Sequence, residues 1–276
     1  MISFPNCKIN IGLNIVEKRS DGFHAIETVF YPVPWSDILE ILPATTKTNS
    51  VDFKSTGIRI YGTKDTNLCV RAYQLLAEDF PLSPVKMHLH KIIPIGAGLG
   101  GGSSDAAFAL KMLNTYFGLQ LSEAQLENYA GKLGSDCPFF IRNKAVYATG
   151  RGEIFEDIKL KLDDYFFVLV KPRVHVSTAE AYAGVKPQRP AQPLSELIRK
   201  PSDTWKTSIK NDFEETILEK YPSIRKIKRR LYDEGAVYAS MSGSGSTVYG
   251  LFRKQVDLHL HFRSGTVWQG FPEIVK

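Results

Sequence analysis

The sequence predicts an α+β fold in two domains. Segments with the two-residue period of strands and segments with the 3.6-residue period of helices follow one another along the 276 residues. Their order is typical of α+β proteins. After Gly150-Arg151-Gly152 the pattern starts again with a second set of strands and helices. We therefore predict two domains, residues 1–153 and 154–276, each of a size that can bury a core.

Alternation of apolar and polar side chains predicts the first strand. Between residues 4 and 16 apolar residues occupy every second position, and Lys8 and Asn10 share the opposite face. The turn residues 18–22 predict that the chain returns as a strand over 23–33. In the rest of this half we predict strands over residues 38–42, 51–53, 58–60 and 85–93, and helices over 67–80, over 106–117, and from the cap Ser122 to Gly134.

The second half opens with an apolar strand over residues 165–170. Ser177 and Glu180 have the spacing of a capping box, which predicts a short helix through Tyr182. Three prolines between residues 186 and 193 predict an irregular loop. Beyond it we predict helices around residues 194–199, 212–220 and 224–234, and strands over 236–240 and 247–252 that flank a glycine turn at 242–246.

A glycine-rich loop between Pro94 and Asp105 is the segment that best indicates a function. Five glycines in seven residues join an apolar strand to an amphipathic helix. Glycine allows successive amides to point one way, and the helix N-terminus adds the positive end of its dipole, so the natural ligand is a phosphate. A dinucleotide-binding loop would need a second strand ending in an acidic residue, and a Walker A loop would need Gly-Lys-Ser/Thr. A linker would be polar and flexible rather than clamped between such elements.

Composition restricts the partners and the compartment. The net charge of +6 suits an anionic partner, but no repeated pattern of aromatic and basic residues indicates a nucleic-acid surface. We expect no membrane partner, because no apolar run approaches the length of a membrane span. The first residues lack the pattern of a signal peptide, so we expect a cytoplasmic protein. The three cysteines lack metal-ligand spacing and indicate packing groups.

The segment from Pro94 to Ala107 resembles the second motif of the GHMP kinases, the superfamily of galactokinase, homoserine kinase and mevalonate kinase. The resemblance implies an N-terminal domain like the second domain of ribosomal protein S5 and a C-terminal ferredoxin-like domain. It implies ATP as cosubstrate with Mg²⁺ on its phosphates, and it makes Ser104 a candidate ligand, although the sequence leaves the metal ligands unknown. The implied ATP-binding residues are Pro94, Ile95, Gly96, Ala97, Gly98, Leu99, Gly100, Gly101, Gly102, Ser103 and Ser104.

Two further segments resemble the catalytic parts of that family. Gly-x-Asp-x-Pro-Phe around Asp136 resembles the segment of the catalytic aspartate, which would accept the proton of the acceptor hydroxyl or orient that hydroxyl. Pro-x-x-Lys-Ile-Asn around Lys8 resembles the opening motif. The resemblance implies that Lys8 pairs with Asp136 and stabilises the transferring phosphoryl group.

The remaining motifs resemble the branch of the family that phosphorylates 4-diphosphocytidyl-2-C-methyl-D-erythritol at its 2-hydroxyl, in the non-mevalonate route to isoprenoids. They are Phe23-His24, the run Gly-Gly-Gly-Ser-Ser-Asp, residues 176–182 and the run Asn-Asp-Phe-Glu at 211–214. The alternatives are another small-molecule GHMP kinase, of the homoserine or mevalonate type, and an S5-like RNA-binding module. The oligomeric state stays open. The implied substrate-binding residues are Asn10, Phe23, His24, Lys91, Thr178 and Tyr182.

Overall fold

A computed structural model describes residues 1–44 and 51–272. These residues form two compact units, and both contain helices and strands, as predicted for an α+β protein. The first unit comprises Met1–Cys7, Trp35–Ile95 and Gly100–Lys144. The second unit comprises Lys8–Pro34, Gly96–Leu99 and Ala145–Lys276. The domain boundary at residue 153 stays a prediction.

The strands and helices have the following bounds. The strands are β1 Ile2–Ser3, β2 Asn6–Lys18, β3 His24–Ser36, β4 Ile38–Pro43, β5 Val51–Gly57, β6 Val85–Lys91, β7 Val146–Thr149, β8 Ile154–Asp157, β9 Phe166–Lys171, β10 Tyr238–Met241, β11 Val248–Phe252 and β12 Thr266–Gly270. The α-helices are α1 Leu68–Ala77, α2 Gly101–Phe117, α3 Glu123–Leu133, α4 Cys137–Arg142, α5 Thr178–Ala183, α6 Leu194–Leu197, α7 Trp205–Ser208, α8 Glu214–Lys220 and α9 Pro222–Asp233. Short 3₁₀ helices cover Lys64–Thr66, Ser202–Thr204 and His259–Phe262.

The first unit packs helices against a four-stranded sheet in the order β1-β4-β6-β5. β4 pairs antiparallel with β6, and β5 pairs parallel with β6. Helix α2 packs against α1, α3 and α4 because its face of small and apolar residues is buried. The three cysteines, Cys7, Cys69 and Cys137, are fully buried in this unit. Burial raises the pKa of Cys69 and raises that of Cys137 to about 12.

The second unit contains two antiparallel sheets, in the orders β2-β3-β7-β8 and β10-β11-β9-β12. The inner face of β9 and helices α8 and α9 share one apolar core that includes Val168, Val170, Ile217 and Ile224. Gly150-Arg151-Gly152 forms the turn between the paired strands β7 and β8. The interruption read from the sequence at these glycines is therefore a hairpin turn.

Two predicted elements need correction. Residues 58–60 are not a strand, because β5 ends at Gly57 with a φ of +78°, where a Cβ would lie 2.3 Å from the carbonyl oxygen of Lys91. Helix α2 begins at Gly101 rather than Ala106, since Gly100 takes the N-cap position with a φ of +67°. The sequence patterns do not predict helices α4 and α7 or strands β1, β7, β8 and β12.

Of the two capping boxes that the sequence predicts, one is complete in the structure and the other is only partly formed. Ser122 and Gln125 form the complete capping box of α3. Ser177 caps α5 by accepting from the backbone N–H of Glu180, whereas the Glu180 carboxylate accepts from the Tyr221 hydroxyl at 2.8 Å. No helix in residues 1–44 and 51–272 combines the length and the apolar character that a bilayer crossing requires.

Candidate active site

The glycine-rich loop adopts a backbone that glycine makes accessible. Gly96, Gly98 and Gly100 have φ values of +61°, +76° and +67°, in the left-handed region that other residues avoid. The loop leads directly into the first turn of α2, where the N–H groups of a helix lack intrahelical acceptors. The arrangement provides backbone donors and the positive end of a 17-residue helix, which together favour an anionic ligand.

Residues 97–99 of this loop are held by other backbone segments of the second unit. The N–H of Lys8 donates to the carbonyl oxygen of Leu99 at 3.0 Å, and the N–H of Thr247 donates to that of Ala97 at 3.2 Å. The Ser242 hydroxyl donates to the carbonyl oxygen of Gly98 at 2.7 Å. A Cβ at Gly98 would lie 2.0 Å from the carbonyl oxygen of Ser242. The glycine turn at 242–246, which the sequence predicts, therefore holds the glycine-rich loop in place.

We expect Gly98→Ala to destabilise the protein. The left-handed φ alone costs about 1–3 kcal/mol for a residue with a Cβ, and the contact with Ser242 adds to it. Gly102→Ala is the matched control, because a Cβ there would meet no atom within 4 Å beyond its chain neighbours and the nearby backbone of its own helix, and α2 already includes it. Urea denaturation should show a lower free energy of unfolding for Gly98→Ala and no loss for Gly102→Ala. Equal stability of the two variants would contradict the argument.

Lys8 and Asn10 lie side by side on β2, as the alternation predicts. The Lys8 ammonium donates to Asn10 Oδ1 at 2.5 Å and lies 4.7 Å from the centre of the Phe30 ring. Asn10 Nδ2 donates to the Thr28 hydroxyl at 2.9 Å, and the Tyr249 hydroxyl donates to the backbone oxygen of Asn10 at 2.8 Å. Both side chains are buried, unlike the solvated lysine common on strand edges. These contacts fix the orientation of the Lys8 side chain.

Lys91 has two carboxylate partners in the first unit. Its ammonium lies 2.5 Å from Asp37 Oδ2 and 2.7 Å from Asp105 Oδ2, and all three side chains are buried. Asp37 Oδ1 accepts the N–H groups of Ile92 and Ile93 at 2.5 and 2.8 Å. Asp105 is the fifth residue of α2, so this triad links the end of β6 to the start of the helix.

The charges of the triad act on one another. Burial lowers the pKa of Lys91, but the charges of Asp105 and Asp37 outweigh burial, so this pKa is raised and the ammonium stays protonated. Burial raises the pKa of the Asp105 carboxyl; the Lys91 ammonium opposes this shift and the Asp37 carboxylate adds to it. Sequence reasoning missed Asp37, which lies 54 residues from Lys91 along the chain. Asp105 belongs to the glycine motif, but the sequence pattern assigns it no function. The assignment of Lys91 to substrate stays a prediction.

Asp136 is the N-cap residue of α4 and is half-buried. Cys137, Pro138 and Phe139 beside it are buried, as expected from the apolar residues of its motif. The Asp136 side chain does not make the hydrogen bond that would cap α4. Lys8 and Asp136 belong to different units, and their pairing stays a prediction.

The predicted substrate residues of the second unit form an aromatic group. The rings of His24 and Tyr182 stack with centroids 4.8 Å apart and an interplanar angle of 23°. Phe213 meets Tyr182 edge-on at 4.9 Å and supports it from within the core. Phe23 is 55% exposed, and the Arg151 guanidinium lies 5.0 Å from its ring centre. The structure therefore joins His24 to Tyr182 and leaves the Phe23 ring accessible.

Thr178 lies at the start of α5, where its hydroxyl is 3.4 Å from that of Ser244 in the glycine turn. Sequence reasoning named Arg151 only as part of a turn. Arg151 lies over the exposed Phe23 ring only because β7 and β8 pair and place the turn between them there. A sequence pattern does not contain this information.

Sequence and structure comparisons identify similar proteins over nearly the whole chain. The sequence model of the GHMP kinases N terminal domain matches residues 67–144, and that of the GHMP kinases C terminal region matches residues 191–259. A 4-diphosphocytidyl-2-C-methyl-D-erythritol kinase of Bacteroides fragilis is 53% identical over 252 residues, which cover 91% of this chain and 92% of the relative. One of the same name from Parabacteroides distasonis is 49% identical over 98% of this chain and 99% of its own length.

A solved structure gives the same result at the level of the fold. The crystal structure of a 4-(cytidine 5'-diphospho)-2C-methyl-D-erythritol kinase superimposes with a TM-score of 0.83 and 29% sequence identity, and the alignment covers 98% of both chains.

Proposed function

The chain belongs to the GHMP kinase family, and we propose on that premise that it transfers the γ-phosphoryl group of ATP to the 2-hydroxyl of 4-diphosphocytidyl-2-C-methyl-D-erythritol, in the formation of isoprenoid precursors. The observation that carries this proposal is an identity near one half with kinases of that name, over 91–98% of the chain. The solved structure of like name supports it. The reaction class is therefore phosphoryl transfer from a nucleotide to an alcohol.

The glycine-rich loop supplies the binding of the ATP phosphates in this proposal. In phosphoryl transfer the protein need not form covalent bonds to the reactants. Catalysis therefore depends on holding the nucleotide and on stabilising the developing charge. The left-handed glycines at 96, 98 and 100 and the N-terminus of α2 are suited to this task. We assign residues 94–104 to the phosphates of ATP.

Lys8 and Asp136 perform the transfer step in the proposal. The Asp136 carboxylate orients the acceptor hydroxyl and accepts its proton as the oxygen attacks the γ-phosphorus, while the bond from the γ-phosphorus to the bridging β-phosphate oxygen breaks and ADP leaves. Lys8 is held by Asn10 and Phe30, so its ammonium is positioned before substrate arrives. A preorganised cation stabilises the charge that develops on the phosphoryl oxygens without reorganising during the reaction.

Magnesium fits one group of atoms in the first turn of α2. Within the residues that the structure describes, the buried Ser104 hydroxyl and Asp105 Oδ1 have no hydrogen-bond partner. A buried oxygen without a hydrogen-bond partner is a candidate ligand for a metal ion, and Mg²⁺ binds oxygen ligands preferentially. Bound with ATP, Mg²⁺ would offset the charge of the phosphates. We propose that Ser104 holds it, with Asp105 beside it.

The acceptor would be recognised by the aromatic group of the second unit. The exposed Phe23 ring offers a face on which a cytosine can stack, and His24, backed by Tyr182, offers ring nitrogens for hydrogen bonds. Thr178 and Asn10 add polar groups from α5 and β2. We propose these residues, with Lys91, as substrate-binding groups, and we propose only small molecules as partners.

An acceptor competition assay tests the proposed function. ADP release would be measured with 4-diphosphocytidyl-2-C-methyl-D-erythritol, homoserine and mevalonate at equal concentrations. We expect turnover on the first compound, and kcat/KM on the other two lower by at least about 10³-fold, because a site built to pair polar groups rejects ligands that lack them. Turnover on homoserine or mevalonate alone would overturn the acceptor assignment. Salt-dependent RNA binding without ATP consumption would overturn the kinase assignment.

A further inference from the structure

The Asn-Asp-Phe-Glu run at residues 211–214 has no role in the mechanism above, yet its first residue makes a complete set of hydrogen bonds. Asn211 is buried, and its Nδ2 donates to the carbonyl oxygens of Met241 and Gly243 at 2.8 and 2.9 Å. Its Oδ1 accepts the N–H of Phe213 at 3.0 Å. A carboxamide can make all three bonds, whereas a carboxylate has no N–H to donate.

The rest of the run is anchored independently. Asp212 Oδ2 accepts the N–H of Ile15 at 2.7 Å, and the backbone N–H of Asp212 donates to Leu13 at 2.8 Å. Glu214 Oε1 accepts the N–H of Met241 at 2.7 Å. Asn211 and Glu214 thus occupy both the carbonyl oxygen and the N–H of Met241, the residue that precedes the glycine turn.

The turn held in this way contacts two parts of the proposed phosphate-transfer site. The Ser242 hydroxyl donates to the carbonyl oxygen of Gly98 at 2.7 Å and accepts the N–H of Asn10 at 3.2 Å. A Cβ at Gly243 would lie 3.2 Å from Asn10 Oδ1, the atom that accepts from Lys8. A displacement of the turn would therefore move both the loop and the neighbour of Lys8.

We propose that Asn211 is a positioning residue for ATP: its carboxamide fixes Met241 and Gly243, and Ser242 between them transmits that position to Gly98 and Asn10. In this proposal Asn211 acts only through the turn, because its three side-chain hydrogen bonds are to backbone groups of Met241, Gly243 and Phe213. The inference rests on the proposed kinase function, but it concerns the nucleotide and not the identity of the acceptor.

Asn211→Asp tests the proposal, because it keeps the size of the side chain and replaces two donors by an oxygen that faces two carbonyl groups. We expect the Kd of ATP, measured by calorimetry without acceptor, to rise about tenfold and kcat to fall about tenfold, because a 1 Å misplacement can cost up to about 10²-fold and the displacement expected here is smaller. Asp212→Asn is the matched control: it retains an acceptor for Ile15 and should leave both values within about twofold.

A double-mutant cycle separates positioning from general stability. If Asn211 acts through the turn, the effects of Asn211→Asp and Ser242→Ala on ATP affinity are not additive, and the double variant binds about as weakly as the weaker single variant. Additive effects, or unchanged ATP affinity in a folded Asn211→Asp, would overturn the proposal. If Asn211→Asp does not fold, unchanged ATP affinity in Ser242→Ala overturns it. Because ATP binding is measured without acceptor, a wrong acceptor assignment would leave this test intact.

Discussion

Asp136→Asn should lower kcat by about 10²–10⁴-fold, the usual contribution of a general base or of the group that orients a nucleophile. The amide has the shape of the carboxylate but cannot accept the proton of the acceptor hydroxyl. ATP affinity should change little, because the loop residues proposed to bind the phosphates are untouched. Stability should also be retained, since asparagine is as good an N-cap residue as aspartate and Asp136 makes no capping hydrogen bond.

Three measurements check this expectation: steady-state kinetics, calorimetric ATP binding and thermal unfolding of the same preparation. Asp65→Asn is the matched control, because this exposed aspartate lies in the 3₁₀ helix Lys64–Thr66 of the same unit. It should leave all three quantities unchanged. Full kcat in Asp136→Asn would remove Asp136 from the mechanism. A fall in kcat that accompanies an equal loss of ATP affinity would place the residue in nucleotide binding instead.

Lys91→Met should destabilise the first unit by about 3–5 kcal/mol, the cost of leaving buried charges without their partner. Asp37 and Asp105 would then face each other without a cation between them. Lys86→Met is the matched control, because Lys86 is an exposed residue of the same strand. Urea denaturation should show a loss for Lys91→Met and a change within about 0.5 kcal/mol for Lys86→Met. A loss below about 1 kcal/mol at position 91 would contradict a structural ion triad.

Neutralising the triad separates its structural role from substrate binding. In the triple variant Lys91→Met, Asp37→Asn, Asp105→Asn no buried charge is left unpaired, so we expect most of the lost stability to return. If Lys91 also contacts substrate, the triple variant folds but binds the acceptor weakly in the absence of ATP and Mg²⁺, where the proposed place of Asp105 beside the metal has no effect. Wild-type affinity in the folded triple variant would limit Lys91 to holding β6 against α2.

The sequence predicts those elements whose pattern is local. Helix α3 is predicted together with its cap, because Ser122 and Gln125 make their hydrogen bonds within one turn. The start of α2 is not predicted, because glycine has a low helix propensity and the sequence around Gly101 is typical of a loop. In the structure Gly101 is helical, and a Cβ there would meet Ile93 at 2.9 Å and the Lys91 ammonium at 3.0 Å. Close packing explains that glycine, and packing across the chain is invisible to a local pattern.

The same distinction applies to the candidate site. The loop, Lys8 and Asn10 can be found in the sequence because each motif is contiguous. Asp37 could not be found, since its role arises only when β4 and β6 pair and bring Lys91 beside it. The position of Tyr182 against His24 likewise depends on the fold, because 158 residues separate a ring that a helix carries from a ring at the start of a strand. Motifs therefore predict which groups act, and the fold decides which groups touch.

All three thiols of the chain lie in the first unit, and none is accessible. Since a thiol reacts as the thiolate, a buried cysteine with a raised pKa escapes alkylation until its surroundings open. The rate of labelling by iodoacetamide would then report how often that unit opens, and adding ATP would slow it if nucleotide closes the same structure. Opening of the second unit, which has no cysteine, would not be detected in such an experiment.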